Sequence, residues 1–325
     1  MLRSLSYAVP ALVGDGRPAR AVRELRGGTR KGVWRVVLAD GSRVVAYRWH
    51  PDHDRWPAGQ GPPDPADPFS PASGPGLFAA AHALLTGAGV RVPALYALEE
   101  EGGGGALAVV EDVGPTLEQV MEADPGRAAP VLEHLASVLG VLHGRTHPVF
   151  GKVAHVAGGG APAAASCHEA VLVRALADLE EAARLDARVG AARSALEEEL
   201  CARAARIGPR PGGYALVHGE LGPDHVLVAA DGQGALIDFE GLMWFDHEWE
   251  HAFLRLRFAD HRRLATRPVD AHRMGLYVLA LDLSLVAGPL RYLAGRAVSD
   301  RGVMAGIAER ALGRALASVG CGGGW

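Results

Sequence analysis

The sequence has little cysteine, little excess charge and no long uncharged apolar run. Its 325 residues include only three cysteines, at positions 167, 201 and 321. They are scattered and odd in number, which fits a reducing compartment better than a disulfide framework. We therefore predict a cytoplasmic protein whose fold does not depend on disulfide bonds.

The charge balance argues against two classes of partner. The 33 Lys and Arg residues against 37 Asp and Glu residues give a formal net charge of −4. A chain without a basic excess lacks the electrostatic footprint of a nucleic-acid-binding protein, and no basic block suggests a membrane surface. The most apolar late stretch, residues 274–290, is interrupted by Asp282 and Pro289, so we predict no membrane span. The N-terminus has no sustained apolar run, and we expect no signal peptide.

What is present is the composition of a globular protein, with 49% hydrophobic and 22% charged residues. The length is sufficient for two lobes. The first third is rich in predicted strands, at residues 33–38, 44–49, 92–98 and 106–110. The first two strands are joined by Asp40-Gly41, a hairpin signal, and are preceded by a basic turn that contains Gly27 and Gly28. Residues 51–76 are predicted to form an exposed loop and residues 77–85 a helix.

The pattern becomes helical after Gly114. Helices are predicted at residues 116–123 and 131–143, and two more within residues 167–205. Short strands at residues 215–218, 226–228 and 235–238 interrupt the helices, which resume from residue 245. The fold class is therefore α+β, with a boundary near Gly114 that divides residues 1–113 from residues 114–325.

The densest set of ionisable residues lies between positions 218 and 251, beside short apolar strands. Ionisable groups at the ends of buried strands are costly unless they are paired, bind metal or take part in chemistry. A salt-bridged surface turn is the alternative, and we favour a reactive site. The set comprises His218, Glu220, Asp224, His225, Asp238, Glu240, Asp246, His247, Glu248, Glu250 and His251.

Part of this set has a familiar order. The run His218-Gly219-Glu220, followed by the apolar residues 226–228, resembles the catalytic loop of the aminoglycoside phosphotransferase and choline kinase-like family, which is related to protein kinases. The run of four residues that begins at Asp238 resembles the metal-binding turn of that family, and Asp246 with Glu250 resembles its Gly-Asp-Pro-x-x-Asp segment. The resemblance implies a bilobal protein-kinase-like fold, with a small antiparallel-sheet N-lobe and a larger, mostly helical C-lobe.

The resemblance also implies an activity and its participants. The expected reaction is transfer of the γ-phosphoryl group of ATP or GTP to a hydroxyl of a small polar molecule, with aminoglycoside antibiotics among the candidates. Glu220 and His218 would be the catalytic residues, and Asp238 and His225 would bind Mg²⁺ or Mn²⁺. We expect no nucleic-acid or membrane partner, and the pattern does not indicate an oligomeric state.

The resemblance also implies that five further residues contact the nucleotide. A guanidinium is a bidentate phosphate ligand with a fixed charge, so Arg48 on the third-strand equivalent would contact the phosphates. Glycine lets backbone N–H groups approach the phosphates closely. Gly27 and Gly28 would therefore lie at the phosphates, and the backbone of Val110 and Asp112 at the adenine.

Three positions depart from the family pattern. Glu220 stands where the family has Asp, and His225 stands where it has a metal-binding Asn. Mg²⁺ prefers oxygen ligands, whereas imidazole suits transition metals. The predicted helix at residues 77–85 contains no acid to pair with Arg48. These departures leave open a catalytically silent, nucleotide-binding pseudokinase with a regulatory role.

A remote alternative comes from the run that begins at His247 and ends at His251. This run matches the His-Glu-x-x-His pattern of zinc hydrolases, in which both imidazoles share a helix face with a glutamate base. Such a site needs a third ligand. The next glutamate is Glu309, which leaves Asp260, Asp270 and Asp282 as the candidates.

Overall fold

A computed structural model of the chain describes residues 2–14, 16–25, 30–54, 63–101, 105–295 and 301–320. Gly27 and Gly28, predicted to contact phosphates, lie outside these residues. The chain forms two compact units, each assembled from separate stretches of sequence. Unit 1 comprises Met1–Trp56, Pro71–Val141 and Gly222–Gly241, and unit 2 comprises Pro57–Ser70, Leu142–Leu221 and Leu242–Trp325. The predicted lobe boundary near Gly114 stays a prediction.

Short 3₁₀ turns occur among the helices and strands, at Pro51–His53, Pro223–His225, Phe239–Gly241 and His261–Leu264. In chain order the elements are α1 (Leu2–Val13), β1 (Ala21–Glu24), β2 (Gly32–Val37), β3 (Arg43–Trp49), α2 (Pro75–Gly87), β4 (Leu95–Glu101), β5 (Gly105–Glu111), α3 (Leu117–Ala123), α4 (Pro125–Gly144), β6 (Thr146–His147), β7 (Gly151–Lys152), α5 (Val153–Ala157), α6 (Cys167–Leu185), α7 (Ala187–Ala204), β8 (Tyr214–Val217), β9 (Val226–Val228), β10 (Gly234–Leu236), β11 (Met243–Phe245), α8 (His247–Arg257), α9 (Ala271–Ala294) and α10 (Arg301–Gly320).

The sheet of unit 1 is antiparallel, with the strand order β1-β2-β3-β5-β4. Because side chains alternate along a strand, its two faces have different neighbours. On one face, Val44 and Ala46 of β3 share a core with Trp34 of β2 and with Leu5 and Val9 of α1. Val45 and Tyr47 therefore belong to the opposite face.

The β9–β10 hairpin is held in unit 1 by backbone hydrogen bonds with the segments before β4 and after β5. The amide of Val228 donates to the carbonyl of Pro115 at 2.8 Å, and Leu236 donates to Arg91 at 2.9 Å. Gly114 has φ 154°, and a Cβ there would lie 2.4 Å from the carbonyl oxygen of Val228. Only glycine allows this approach.

Unit 2 combines helices with a second sheet of order β6-β8-β11-β7. Helix α6 ends at Leu185, and the side chain of Asp186 caps α7 by accepting the amide of Arg188 at 2.8 Å. This break lies within the predicted pair of helices. Helix α9 is long and apolar enough to cross a membrane by length and composition, but 61% of its most apolar window is buried. It packs against α6 and α10 as a core helix does.

The prediction that residues 51–76 form an exposed loop is wrong for its second half. Pro68 and Ser70 are buried, and the ring of Phe69 lies 4.9 Å from Trp249 and 5.5 Å from Phe245. The proline and glycine content indicated a loop correctly, but it did not show that Phe69 and the hydrogen bond of Lys152 with Ser70 attach this loop to the core of unit 2.

Candidate functional site

Asp238 stands in an unusual backbone conformation at the end of β10. Its φ is 60°, and among the described residues it is the non-glycine residue with a positive φ. The left-handed region costs an ordinary side chain on the order of 1 kcal/mol or more, and such strain concentrates at functional sites. Its carboxylate is 47% exposed. The backbone thus presents a reachable carboxylate at the predicted metal-binding turn.

A buried lysine lies against this carboxylate. Lys31 directly precedes β2, and its Nζ donates to Oδ1 of Asp238 at 2.8 Å and to Oε1 of Glu240. The Lys31 side chain is 10% exposed. Burial by itself would lower the pKa of Lys31, but the charges of Glu240 and Asp238 outweigh burial and raise it. Lys31 is therefore a permanent cation at this turn.

His225 approaches Asp238 from the start of the same hairpin. Its Nε2 lies 3.7 Å from Oδ2 of Asp238, and its carbonyl accepts the amide of Ile237 at 3.0 Å. Ligand atoms at about 2.1 Å from one cation lie about 3 Å apart, so a small closure would let both groups bind it. The pair offers one oxygen and one imidazole nitrogen, a donor set that fits a divalent cation.

No group of three or more His, Cys, Asp and Glu side chains able to hold a metal occurs among the described residues. A cation at Asp238 and His225 would therefore need further ligands. Mg²⁺ in phosphate-handling sites commonly binds one or two protein carboxylates and takes its other ligands from substrate phosphates and water. The two protein donors fit that mode of binding.

Apolar residues enclose the space beside Lys31 and Asp238. Val110, predicted to contact adenine, and Tyr47 line the same cavity. The ring of Phe239 stacks on Phe78 of α2 at 5.2 Å, which fixes the metal-binding turn against that helix. Asp112, predicted as the second adenine contact, accepts two hydrogen bonds from Arg35, at 2.7 and 2.9 Å.

Arg48, predicted to contact phosphates, has another partner. Its Nε donates to Oε2 of Glu101 on β4 at 2.5 Å. By strand alternation it shares the face of Ala46 and is opposite to Tyr47, which lines the cavity. The phosphate role of Arg48 stays a prediction, and its side chain is placed on the other side of the sheet from Asp238.

The predicted catalytic loop belongs to unit 2, where α8 fixes its backbone. The buried carboxylate of Glu250 accepts the amide of His218 at 2.5 Å and the amide of Gly219 at 3.4 Å. The indole N–H of Trp249 donates to the carbonyl of Gly219 at 3.0 Å. His218 is 1% exposed, whereas Glu220 is exposed. The loop is therefore rigidly held and ends in an accessible carboxylate.

The carboxylate of Asp246 makes contacts that stabilise the fold. Its buried carboxylate accepts from Nε of Arg273 at 2.8 Å and from the hydroxyl of Tyr277 at 2.6 Å, and it pairs with Arg210. These contacts fix the start of α8 against α9. Asp246 and Glu250, which resemble a segment of the family, thus have structural roles that support the catalytic loop.

The zinc-hydrolase alternative finds no support. Glu248, its would-be base, pairs with Arg210 and accepts the amide of Asp270 at 3.0 Å. The Nε2 of His247 is hydrogen-bonded to the carbonyl of Pro268 at 3.1 Å. The described ranges also contain no group of three side chains that could hold a zinc ion. The His247–His251 run is part of the buried core of unit 2.

Sequence reasoning missed two lysines, Lys31 and Lys152. The Nζ of Lys152 donates to the carbonyl of Ser70, and its side chain is buried. Burial lowers the pKa of Lys152 to about 8, although Asp67, Asp64 and Glu220 raise it. Neither lysine stands in a recognisable motif. An isolated lysine after a glycine-rich turn was the only signal for Lys31.

Comparison with known proteins shows the family of this chain. The sequence model of the phosphotransferase enzyme family, APH, matches residues 21–272, which is more than half of the chain. The chain belongs to this family. No curated protein matches the sequence.

Solved structures of the family resemble the chain over nearly its whole length. A thermostable mutant of aminoglycoside phosphotransferase APH(4)-Ia, in a ternary complex with ADP and hygromycin B, has 18% sequence identity and a TM-score of 0.64, covering 99% of this chain and 100% of that chain. Spectinomycin phosphotransferase APH(9)-Ia, in complex with ADP and spectinomycin, has 12% identity and a TM-score of 0.64, covering 98% of each chain. Choline kinase LicA from Streptococcus pneumoniae has 16% identity and a TM-score of 0.57, covering 92% and 94%. The predicted α+β, kinase-like fold is confirmed.

Proposed function

We propose that this phosphotransferase-family chain moves the γ-phosphoryl group of ATP or GTP to a hydroxyl of a small polar molecule. The observation that carries the proposal is Asp238, a strained and accessible carboxylate beside the imidazole of His225 and the buried cation of Lys31. A carboxylate in this setting suits a metal ligand better than a structural ion pair, because structural carboxylates are normally held in unstrained backbone.

The proposed roles in unit 1 concern the nucleotide. Asp238 and His225 would hold Mg²⁺ or Mn²⁺, which neutralises charge on the phosphates and fixes their geometry when bound. The backbone of Val110 and Asp112 would contact the base. Gly27 and Gly28 would contact the phosphates through their amides.

The proposed role of Glu220 concerns the acceptor. Its carboxylate would accept the hydrogen of the acceptor hydroxyl at about 2.6–3.2 Å and orient that oxygen toward the phosphorus. The contacts of Glu250 and Trp249 with His218 and Gly219 fix the backbone that leads into Glu220. Such fixed positioning is most of what the protein contributes to phosphoryl transfer.

The structural neighbours support a nucleotide co-substrate and leave the acceptor open. APH(4)-Ia is described with ADP and hygromycin B, and APH(9)-Ia with ADP and spectinomycin, whereas LicA is a choline kinase. One fold therefore serves unrelated acceptors. Aminoglycosides are among the candidates here, and a cytoplasmic location stays a prediction.

An acceptor screen tests the proposal. The purified chain would be incubated with ATP or GTP, a divalent cation and a panel of aminoglycosides, sugars and amino alcohols, with product detected by mass spectrometry. We expect one acceptor class to gain a phosphoryl group. Glu220→Gln should lower turnover by roughly 100-fold or more while sparing ATP affinity, because the amide cannot act as a base. The matched control Glu197→Gln, at an exposed position of α7, should retain full activity.

The outcomes separate the proposal from the pseudokinase alternative. Nucleotide binding without transfer to any acceptor would favour a catalytically silent protein. Glu220→Asp then distinguishes an active enzyme adapted to glutamate from a kinase that has lost its activity, because it restores the residue that the family carries. In an enzyme adapted to glutamate the shorter side chain impairs turnover, whereas in a decayed kinase it restores activity. Full activity of Glu220→Gln would remove Glu220 from the mechanism.

A further inference from the structure

The third strand of unit 1 lacks a lysine on the face that lines the cavity. In protein kinases a lysine on the third strand contacts the nucleotide phosphates. The corresponding inward position of β3 is Tyr47, a buried ring that lines the cavity with Asp238. Arg48, the neighbouring cation, is directed to the other face and pairs with Glu101.

A different strand supplies a cation at this place. Lys31 enters from the start of β2, the strand that pairs with β3. Its Nζ lies 5.2 Å from the centre of the Tyr47 ring, and both side chains line the cavity with Asp238. A cation is therefore present at this cavity although β3 supplies none to it.

The ion-pair partner of this lysine also differs from the partner in protein kinases. In protein kinases the lysine pairs with a glutamate of a helix, but α2 contains no acid. Lys31 pairs instead with Glu240, which is 5% exposed and follows Asp238 by two residues. Lysine, its buried carboxylate partner and the proposed metal ligand therefore come together in one cluster.

We propose that Lys31 is the phosphate-binding cation of this protein and that β2 has taken over the role of the third-strand lysine. The inference rests on the proposed function. Nζ lies 2.8 Å from Oδ1 of Asp238, and His225 lies near Oδ2 of the same carboxylate, so the lysine is next to the group that would hold the metal. Phosphate oxygens that bind this metal would be within reach of Nζ. Glu240 holds the lysine in this place.

Calorimetric titrations with ATP and with adenosine test the assignment. Lys31→Met should weaken ATP binding by roughly tenfold to 100-fold, the usual effect of one charge-assisted hydrogen bond. Adenosine binding should change little, because adenosine has no phosphate. Arg23→Met, at an exposed position of β1, is the matched control and should leave the affinity for ATP nearly unchanged. Arg48→Met tests the rival phosphate contact, and its loss of ATP affinity should be smaller than that of Lys31→Met.

Two double variants protect the test against misfolding, since Lys31→Met leaves Glu240 without its partner. Lys31→Met with Glu240→Gln removes one charge of each sign and should fold, with the same selective loss of ATP affinity. Lys31→Met with Tyr47→Lys returns the lysine to β3 and should recover part of that affinity. Circular dichroism would confirm folding.

The results that overturn the inference are specific. Equal losses for ATP and adenosine would make Lys31 a structural residue, and a larger loss in Arg48→Met would return the role to Arg48. In both cases the proposed function would stand. A wild-type chain that binds no ATP in the presence of Mg²⁺ or Mn²⁺ would contradict the proposed function and this inference with it.

Discussion

His225 is the residue whose chemistry departs furthest from a magnesium site. Its imidazole stands 3.7 Å from the carboxylate of Asp238, as a nitrogen donor where Mg²⁺ prefers oxygen. We therefore expect Mn²⁺ to support nucleotide binding at least as well as Mg²⁺. His225→Asn should shift the preference toward Mg²⁺. Nucleotide affinity measured with each metal checks both statements, and a strong Mg²⁺ preference of the wild type would place His225 outside the metal ligands.

At this scale the sequence identified residues that are close along the chain. The resemblance to the family identified Asp238 and His225, and their positions at the two ends of one hairpin explain why they lie close together. Lys31 was missed because 207 positions separate it from Asp238. Arg48 was assigned to the phosphates because a sequence motif does not show which face of a strand a side chain occupies. Only the register of β2, β3 and β5 shows this.

At the scale of elements, helix α8 buries two histidines against a third from the end of α4. The ring of His143 lies 5.4 Å from that of His251 and 5.9 Å from that of His247. Burial lowers the pKa of His143 to about 2 and those of His247 and His251 to about 4. Arg267 lowers the pKa of all three, and neighbouring histidines lower those of His143 and His251 further. The three side chains are therefore neutral in the folded protein at neutral pH.

This cluster predicts loss of stability in acid. As pH falls below about 6.5 the unfolded chain binds protons at these histidines, whereas folded His247 and His251 do so only near pH 4. The unfolded state thus binds more protons, and the free energy of unfolding falls between pH 6.5 and 4. Each histidine contributes up to about 1.4 kcal/mol per pH unit. Urea unfolding at a series of pH values measures the slope.

A substitution isolates one histidine from the other titrating groups. Among the described residues the Nε2 of His251 has no hydrogen-bond partner, so leucine can replace the ring without leaving a buried polar group unpaired. His251→Leu should make the slope shallower by about one proton. Buried Glu248, whose pKa is raised mainly by burial, affects wild type and variant alike. An unchanged slope would show that His251 is protonated in the folded state.

Most elements lie within a few residues of their predicted positions, including the short strands β8, β9 and β10. Helix α4 begins at Pro125 rather than at residue 131. Helix α1 was missed because it contains a proline and lacks a charged face, and β1 because its four residues are largely exposed. Strands β6 and β7 have two residues each, which is too short to show an alternation of apolar and polar residues.

At the scale of the whole molecule, the order of elements indicated the family, but the composition of each unit did not follow from it. Residues 222–241 return to unit 1 after the chain has built much of unit 2. Such long-range pairing depends on contacts such as that of Gly114 with Val228, which no local pattern reveals. The acceptor also escapes prediction, because one fold accommodates many sites.

The central claim is that Asp238 binds the metal of a metal–nucleotide complex, and one calorimetric comparison tests it most directly. ATP would be titrated, with and without Mn²⁺, into wild type, Asp238→Ala and the control Asp231→Ala. Asp231 lies in the turn of the same hairpin and pairs with Arg91. We predict that metal strengthens ATP binding in the wild type and in Asp231→Ala but not in folded Asp238→Ala. The same metal dependence in all three proteins would contradict the account.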